Sequence, residues 1–177
     1  MAMEVRLPIF QIVGYQNSGK TTLVQKLVKN LSKRGYKVGT IKHHGHGGEP
    51  DFADKGKDSA LHRSAGARVV TVEGNGTIQL TASELKWDLQ QIISLYESFN
   101  LDIILVEGYK LESYPKVVLL RTQEDLEMTQ KLSNIFCVIS QVPLLKHQCK
   151  NLTWFLRSEE EAYLSFLLQE VGGHSNE

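Results

Sequence analysis

The apolar positions along the chain follow two spacings in turn, which predict strands alternating with helices. Leu7 to Val13 is an apolar run with two interruptions, typical of a strand buried on both faces. From Leu23 to Leu31 the apolar residues follow helical spacing, and Gly35 ends the helix. Tyr36 to Ile41 predicts a second strand. The N-terminal segment therefore predicts a β-α-β unit, in which the two strands are parallel.

The middle of the chain predicts a β-hairpin flanked by helices. A short helix is expected from Asp58 to Ala65, followed by a strand from Arg68 to Glu73. A Gly-Asn-Gly turn separates this strand from Thr77 to Leu80, its expected hairpin partner. Thr81 and Glu84 have the spacing of a capping box, which predicts that a further helix begins there.

The last part of the chain adds further strands and a closing helix. Strands are predicted over Leu101 to Val106, Lys116 to Arg121 and Ile135 to Ser140, and a helix from Ser158. Continuous apolar strands alternating with helices indicate a three-layer α/β fold on a mostly parallel sheet, with the β-hairpin as an extension. We expect one domain over residues 1–172 and a frayed tail over residues 173–177.

Composition excludes several classes of protein. The chain has 177 residues, 41% of them hydrophobic, which is enough for one buried core. Its apolar stretches are far shorter than the ~20 residues that cross a bilayer. No secretory signal is visible at the N-terminus, and the two cysteines form neither a metal-knuckle spacing nor a disulfide framework. We therefore expect a cytoplasmic protein without a membrane partner.

The formal charge is zero, but it is unevenly distributed. Residues 1–70 carry 12 basic and 5 acidic side chains, a net charge of +7, and residues 71–177 carry 8 and 15, a net charge of −7. This gradient favours an anionic ligand near the N-terminal half. No RNP-like aromatic pattern or basic helix accompanies it, so we expect no nucleic-acid partner.

A phosphate-binding loop follows the first predicted strand. Residues 14–21 read GYQNSGKT, which matches the Walker A pattern G-x-x-x-x-G-K-[ST] between a strand and a helix. Its two glycines allow the backbone to fold tightly around a phosphate, and the helix N-terminus adds positive potential. The lysine would contact the β- and γ-phosphates, and the hydroxyl of Thr21 would hold Mg²⁺. The expected nucleotide-binding residues are Gly14, Gln16, Asn17, Ser18, Gly19, Lys20, Thr21 and Thr22.

A carboxylate is expected beside this loop. Ligands of parallel sheets bind at the carboxyl ends of the strands, and Glu107 lies at that end of the most apolar strand. We therefore predict that Glu107 joins Thr21 at the Mg²⁺ ion, whereas Asp102 lies at the opposite end. Asp51 is a weaker candidate for a second carboxylate.

A loop rich in histidine follows the second predicted strand and opens on the same edge. Lys42, His43, His44 and His46 lie in it, with Lys57 and Arg63 downstream. These side chains could recognise an anionic substrate or partner, could bind a transition metal such as zinc or nickel, or could simply be solvated. The residues alone leave these alternatives open.

Several short blocks together resemble one known family. They are the P-loop, the IKHHGH segment after the second strand, Asp51, the GKDS segment with Arg63, and residues 106–110, VEGYK. Their order and spacing are similar to those of the molybdopterin-guanine dinucleotide biosynthesis protein B (MobB) family. The blocks fall between residues 9 and 120, about two thirds of the chain.

The resemblance implies a homodimeric GTP-binding protein with weak GTPase activity. Such a protein would assist the guanylyltransferase MobA in attaching GMP to molybdopterin during maturation of the molybdenum cofactor. The resemblance also implies that Asp58 and Lys110 join the histidine-rich face that meets the cofactor or partner. No N-K-x-D motif is present, so guanine specificity rests on the resemblance, with Ser140 and Gln141 as topological guesses for base contacts. A small-molecule P-loop kinase and a metal-delivery GTPase using His43, His44 and His46 are the alternatives.

Overall fold

The computed structural model describes residues 7–45, 48, 50, 54–84, 86–144 and 152–173. Their contacts divide the chain into two compact units, one comprising residues 1–45 and 96–177 and the other residues 46–95. The expected single domain over residues 1–172 therefore stays a prediction, as does fraying of the tail, which lies mostly outside the described residues.

Along these described ranges the chain forms twelve regular elements and two short 3-10 helices. In chain order they are β1 (Ile9–Gly14), α1 (Lys20–Lys33), β2 (Val38–Lys42), α2 (Asp58–Ser64), β3 (Val69–Gly74), β4 (Thr77–Ala82), α3 (Leu89–Tyr96), β5 (Ile103–Glu107), β6 (Lys116–Leu120), β7 (Ile135–Ser140), β8 (Thr153–Leu156) and α4 (Glu160–Gly173). The 3-10 helices span Glu97–Phe99 and Glu124–Lys131.

The first unit is built on a six-stranded sheet in the order β2-β5-β1-β6-β7-β8. Every neighbouring pair in it is parallel. β1 therefore lies between β5 and β6, and the loop that follows β1 is flanked by the carboxyl ends of both neighbours. This order brings residues distant in sequence to one edge of the sheet.

Helices cover both faces of this sheet, as the continuous apolar strands predicted. α1 and α4 pack on one face through residues such as Leu27, Leu31 and Leu167. On the other face Val118 and Val138 pack against Met128 of the second 3-10 helix. The result confirms the three-layer α/β architecture of a P-loop NTPase fold. Among the described residues, no helix is long and apolar enough to cross a membrane.

The second unit contains the predicted hairpin. β3 and β4 pair in antiparallel register, with Gly74 opposite Thr77. Between them Asn75 and Gly76 both have positive φ, 51° and 76°. Two successive residues of positive φ form the turn that matches the twist of a tight hairpin, so the Asn-Gly sequence explains the connection.

The capping box predicted at Thr81 and Glu84 is wrong. Thr81 pairs with Val70 and stays in β4, because the hairpin ladder extends to Ala82. The capping box lies further on: the backbone N–H of Gln91 donates to Oδ1 of Asp88 at 2.7 Å, and the N–H of Asp88 donates to Oε1 of Gln91 at 3.0 Å. α3 therefore begins at Leu89.

The closing helix also begins later than its predicted cap at Ser158. The backbone N–H of Tyr163 donates to the carbonyl of Glu159, and the Glu159 carboxylate accepts the N–H of Leu156 at 2.6 Å. Glu159 thus occupies the capping position, and α4 runs from Glu160. Strand β8, which precedes this turn, has no counterpart among the sequence predictions.

Candidate functional site

The loop between β1 and α1 adopts a conformation that requires its glycines. A Cβ atom on Gly14 would lie 2.5 Å from Oγ of Ser18 and 2.8 Å from the carbonyl oxygen of Leu119. Gly19 has φ of 90°, and a Cβ there would collide with the guanidinium of Arg157. Only glycine fits either position without displacing its neighbours. The sequence pattern therefore reflects the backbone path of this loop.

Lys20 lies within the curve of the loop. Its Nζ donates to the carbonyl oxygens of Gly14 at 3.1 Å and Tyr15 at 2.8 Å. Burial lowers the pKa of Lys20, Glu107 opposes this effect, and Lys42 and Arg121 add to it. The ammonium group thus spans the mouth of the loop, where an anion would meet it.

Thr21 and Glu107 are in direct contact. Oγ1 of Thr21 lies 3.1 Å and 3.0 Å from the two carboxylate oxygens of Glu107, to which it can donate. Glu107 is only 8% exposed, since it ends the central strand β5 next to β1. Hydroxyl and carboxylate oxygens are the donors that Mg²⁺ prefers, so this pair fits a magnesium site. The juxtaposition was predicted from the position of Glu107 at the carboxyl end of its strand; the metal role stays a prediction.

Lys42 joins the same pair. Its Nζ lies 3.5 Å from Oε1 of Glu107 and donates to Oγ1 of Thr21 at 3.3 Å. The sequence grouped Lys42 with the histidine-rich loop as an anion-binding residue. Its contacts connect it to the proposed magnesium ligands, and its role in an anion site stays a prediction.

Two arginines hold the phosphate loop from outside, and sequence reasoning missed both. Nη1 of Arg121 donates to the carbonyl of Gln16 at 3.0 Å, and Nη1 of Arg157 donates to the carbonyl of Ser18 at 3.0 Å. Asp125 orients Arg121 through an ion pair of 3.1 Å and raises its pKa. Each arginine directly follows the carboxyl end of a strand, β6 or β8. This position could have indicated a role for Arg121, whereas β8 was not predicted and Arg157 gave no such signal.

A buried amide fastens the loop that follows Glu107. Nε2 of Gln11, which is fully buried in β1, donates to the carbonyls of Gly108 at 3.0 Å and Tyr109 at 2.6 Å. Tyr109 has φ of 50°, a conformation that costs energy for a residue with a side chain. Gln11 therefore holds Glu107 and the next residues against β1. The sequence could have indicated such a role for Gln11, because it is a polar residue within an otherwise apolar strand.

The histidine-rich loop is only partly described. His43 packs its ring 4.5 Å from that of Tyr109, and His44 is exposed. His46 and Asp51 lie outside the described residues. Within the described ranges, no group of three His, Cys, Asp or Glu residues could hold a metal ion. The metal-delivery alternative and the role of Asp51 therefore stay predictions.

The other predicted anion-binding residues have separate surroundings. Lys110 lies 5.6 Å from the ring centre of Tyr15, beside the phosphate loop. Lys57 and Asp58 belong to the second unit, at the start of α2. In that unit Arg63 pairs with Asp54 at 2.6 Å, and its hydrogen bonds lower the pKa of Asp54 to about 2. Their part in a shared anion site stays a prediction.

A cavity of about 110 Å³ adjoins the loop on the side of α1 and α4. Gly19 and Thr22 lie at one side of it, and Arg157 and Glu160 at another. Ser140, a predicted base contact, is fully buried, and its Oγ bonds to the carbonyl of Val142 at 2.6 Å. This cavity is smaller than the pockets that usually hold a ligand of nucleoside size, and the expected base contacts of Ser140 and Gln141 stay predictions.

Comparison with known proteins agrees with this arrangement. The family model described as Molybdopterin guanine dinucleotide synthesis protein B (MobB) matches residues 9–141. The chain belongs to the MobB family. The matched region begins with β1 and ends directly after β7, so it includes the phosphate loop, Lys42 and Glu107. The family resemblance of the sequence motifs is thereby confirmed.

Relatives in this family match most of the chain. It is 41% identical over 175 residues to a probable molybdopterin-guanine dinucleotide biosynthesis adapter protein of Bacillus subtilis (strain 168), covering 99% of each chain. It is 36% identical over 152 residues to the adapter protein of Escherichia coli (strain K12), covering 81% of this chain and 84% of that one. The crystal structure of a MobB homolog from Bacillus stearothermophilus is 37% identical, with a TM-score of 0.77 over 93% of this chain and 98% of that one.

Proposed function

We propose that this protein is a GTP-binding adapter in molybdenum cofactor biosynthesis, which assists the guanylyltransferase MobA in attaching GMP to molybdopterin. The observation that carries the proposal is the contact of Thr21 with Glu107 beside Lys20. It combines a phosphate loop with a magnesium-type oxygen pair. The names of the MobB relatives supply the pathway and support guanine as the base.

Different residues at the loop would contact the phosphates, support the loop backbone and bind the metal ion. Lys20 would exchange its two carbonyl partners for phosphate oxygens, because a charge-assisted bond to phosphate is stronger than one to a neutral carbonyl. Arg121 and Arg157 keep the loop backbone in place, so its N–H groups need little rearrangement. Mg²⁺, when bound through Thr21 and Glu107, would neutralise part of the phosphate charge.

Slow hydrolysis fits the same arrangement. Fast hydrolysis needs a side chain that orients or deprotonates the attacking water. Glu107, the buried carboxylate at the loop, is already in contact with Thr21 and Lys42. Binding rather than turnover is therefore the function that these described residues serve best, as an adapter requires.

The direct test is thermal unfolding with Mg²⁺ and GTP, ATP or CTP. A ligand at 100 times its dissociation constant adds about 2.7 kcal/mol of stability, and thus raises Tm by about 5–10 °C for a chain of this size. We expect GTP to give the largest rise, and removal of Mg²⁺ to reduce it. A larger rise with ATP would contradict the guanine assignment, and no rise with any nucleotide would contradict nucleotide binding.

The expected homodimer has a candidate surface in the second unit. Residues that lie opposite each other in the hairpin project from the same face, and side chains on one strand return to that face every second residue. Leu80 lies opposite Thr71, and Ile78 and Val69 are each two positions from one of these residues. The side chains of Val69, Ile78 and Leu80 therefore share one face. They are 58%, 47% and 51% exposed. Exposed apolar side chains clustered on one face favour association with another protein surface. We propose that a second copy of the chain covers this face.

A charge on this face is expected to dissociate the dimer. Leu80→Lys would place an ammonium group in an apolar interface, whereas Gln79→Lys adds the same charge to the opposite face of the same strand. Sedimentation velocity should show a shift towards monomer for Leu80→Lys and wild-type behaviour for Gln79→Lys. A wild-type monomer, or a Leu80→Lys dimer as stable as the parent, would contradict this interface.

A further inference from the structure

We propose that Lys42 is the resident counter-ion of the magnesium site. Its ammonium group neutralises Glu107 in the nucleotide-free protein and leaves this position when Mg²⁺ enters with the nucleotide. The inference rests on the proposed function, because it assigns a cation-exchange step to the same site.

The sheet itself determines where Lys42 lies. Lys42 ends β2 and is the register partner of Glu107 at the end of β5. Paired residues of neighbouring parallel strands project from the same face of the sheet, so the register places the two side chains next to each other. The backbone N–H of His43 donates to the Glu107 carbonyl at 2.9 Å and fixes this register just past the last pair. The approach of the ammonium group to the carboxylate is therefore a property of the fold.

Charge balance explains why a lysine is placed there. Glu107 is 8% exposed, and an isolated carboxylate at such a position is costly. Lys20 directs its hydrogen bonds to the carbonyls of Gly14 and Tyr15. Among the described residues, the one ion pair of Glu107 is with Lys42. The charge of Lys20 also acts on Glu107, but Lys42 is the cation that pairs with its carboxylate before a metal ion arrives.

The same contacts show that Lys42 can be displaced. Its side chain is 61% exposed, and its Nζ lies 3.5 Å from Oε1 of Glu107, which is longer than a direct hydrogen bond. It also donates to Oγ1 of Thr21, the second expected ligand oxygen. A magnesium ion would bind these oxygens at about 2.1 Å, and its double charge would repel the ammonium group and weaken both contacts of Lys42.

The exchange predicts how the magnesium requirement depends on residue 42. Lys42→Met removes the competing charge, so the half-saturating Mg²⁺ concentration for GTP binding should fall about three- to tenfold. Lys42→Arg retains the charge and should stay near the wild-type value. Lys37→Met is the matched control, because this exposed lysine precedes the other end of β2 and loses the same charge. Binding is measured by thermal unfolding across a magnesium titration.

A second measurement needs no nucleotide. Without Mg²⁺, Lys42→Met should unfold at a lower temperature than Lys42→Arg, because Glu107 has lost its counter-ion. Added Mg²⁺ should stabilise Lys42→Met and so remove this difference. An unchanged magnesium requirement in Lys42→Met, together with no effect of Mg²⁺ on its nucleotide-free stability, would overturn the inference. Failure of the wild-type chain to bind GTP at any magnesium concentration would instead contradict the proposed function, and the nucleotide-free measurement would still test Lys42.

Discussion

Lys20→Ala is expected to reduce GTP affinity about 100-fold, because it removes the cation that lies at the mouth of the phosphate loop. Hydrogen bonds from a charged group are worth about 1.5–3 kcal/mol each, and Lys20 would exchange its two bonds to loop carbonyls for bonds to phosphate oxygens. Because one set of bonds replaces another, we expect a net loss of about 2.7 kcal/mol in the variant, which corresponds to 100-fold. In thermal unfolding with Mg²⁺, the rise in Tm with GTP should disappear in the variant.

The control for this experiment lies on the same helix. Lys29 is an exposed residue of α1, so Lys29→Ala removes an equal charge without touching the loop. Its GTP response should match that of the wild type. If Lys20→Ala bound GTP as the parent does, the loop would not be a phosphate site.

Lys116→Met is expected to destabilise the fold by about 3–5 kcal/mol, independently of any ligand. Lys116 is fully buried, and its Nζ donates to the carbonyls of Glu112, Tyr114 and Ser133 at 2.7, 2.8 and 2.8 Å. Methionine fills a similar volume but leaves three carbonyl oxygens without a donor. A decrease in Tm of about 10 °C follows for a chain of this size.

The comparison variant is Lys131→Met, which removes an exposed lysine at the end of a 3-10 helix. Its Tm should stay close to that of the wild type. Burial lowers the pKa of Lys116, and the charge of Glu112 opposes this effect. A Lys116→Met protein as stable as the parent would show that water can replace the ammonium group.

The phosphate loop and the position of Glu107 could be predicted from the sequence, because each depends on residues close together along the chain. The phosphate loop was recognisable because its glycines are required by the backbone path, as the close approach of Leu119 to Gly14 illustrates. Glu107 was predictable because it ends the most apolar strand, and such strands lie centrally in a parallel sheet. Both inferences needed only spacing and strand direction.

Contacts that depend on strand order could not be predicted in the same way. Arg121 and Arg157 reach the loop only because β6 adjoins β1 and β8 closes the sheet two strands further on. Thr81 had the local pattern of a helix cap, but pairing with Val70 in the hairpin outweighed it. Lys42 was assigned to a loop by its neighbours in sequence, whereas its register with Glu107 decides its contacts.

The hydrogen bonds from Arg121 and Arg157 make the geometry of the phosphate loop depend on distant parts of the chain. The bond from Arg121 to Gln16 spans 105 positions of the chain, and the bond from Arg157 to Ser18 spans 139. Contacts this distant in sequence carry a loop-closure entropy cost, which the pairing of β1 with β6 over a similar separation already meets. The loop that follows β1 is therefore held in part by residues that follow β6 and β8, far along the chain. A chain that lacked Arg121 or Arg157 would keep the Walker A sequence and lose a contact that holds its backbone in place.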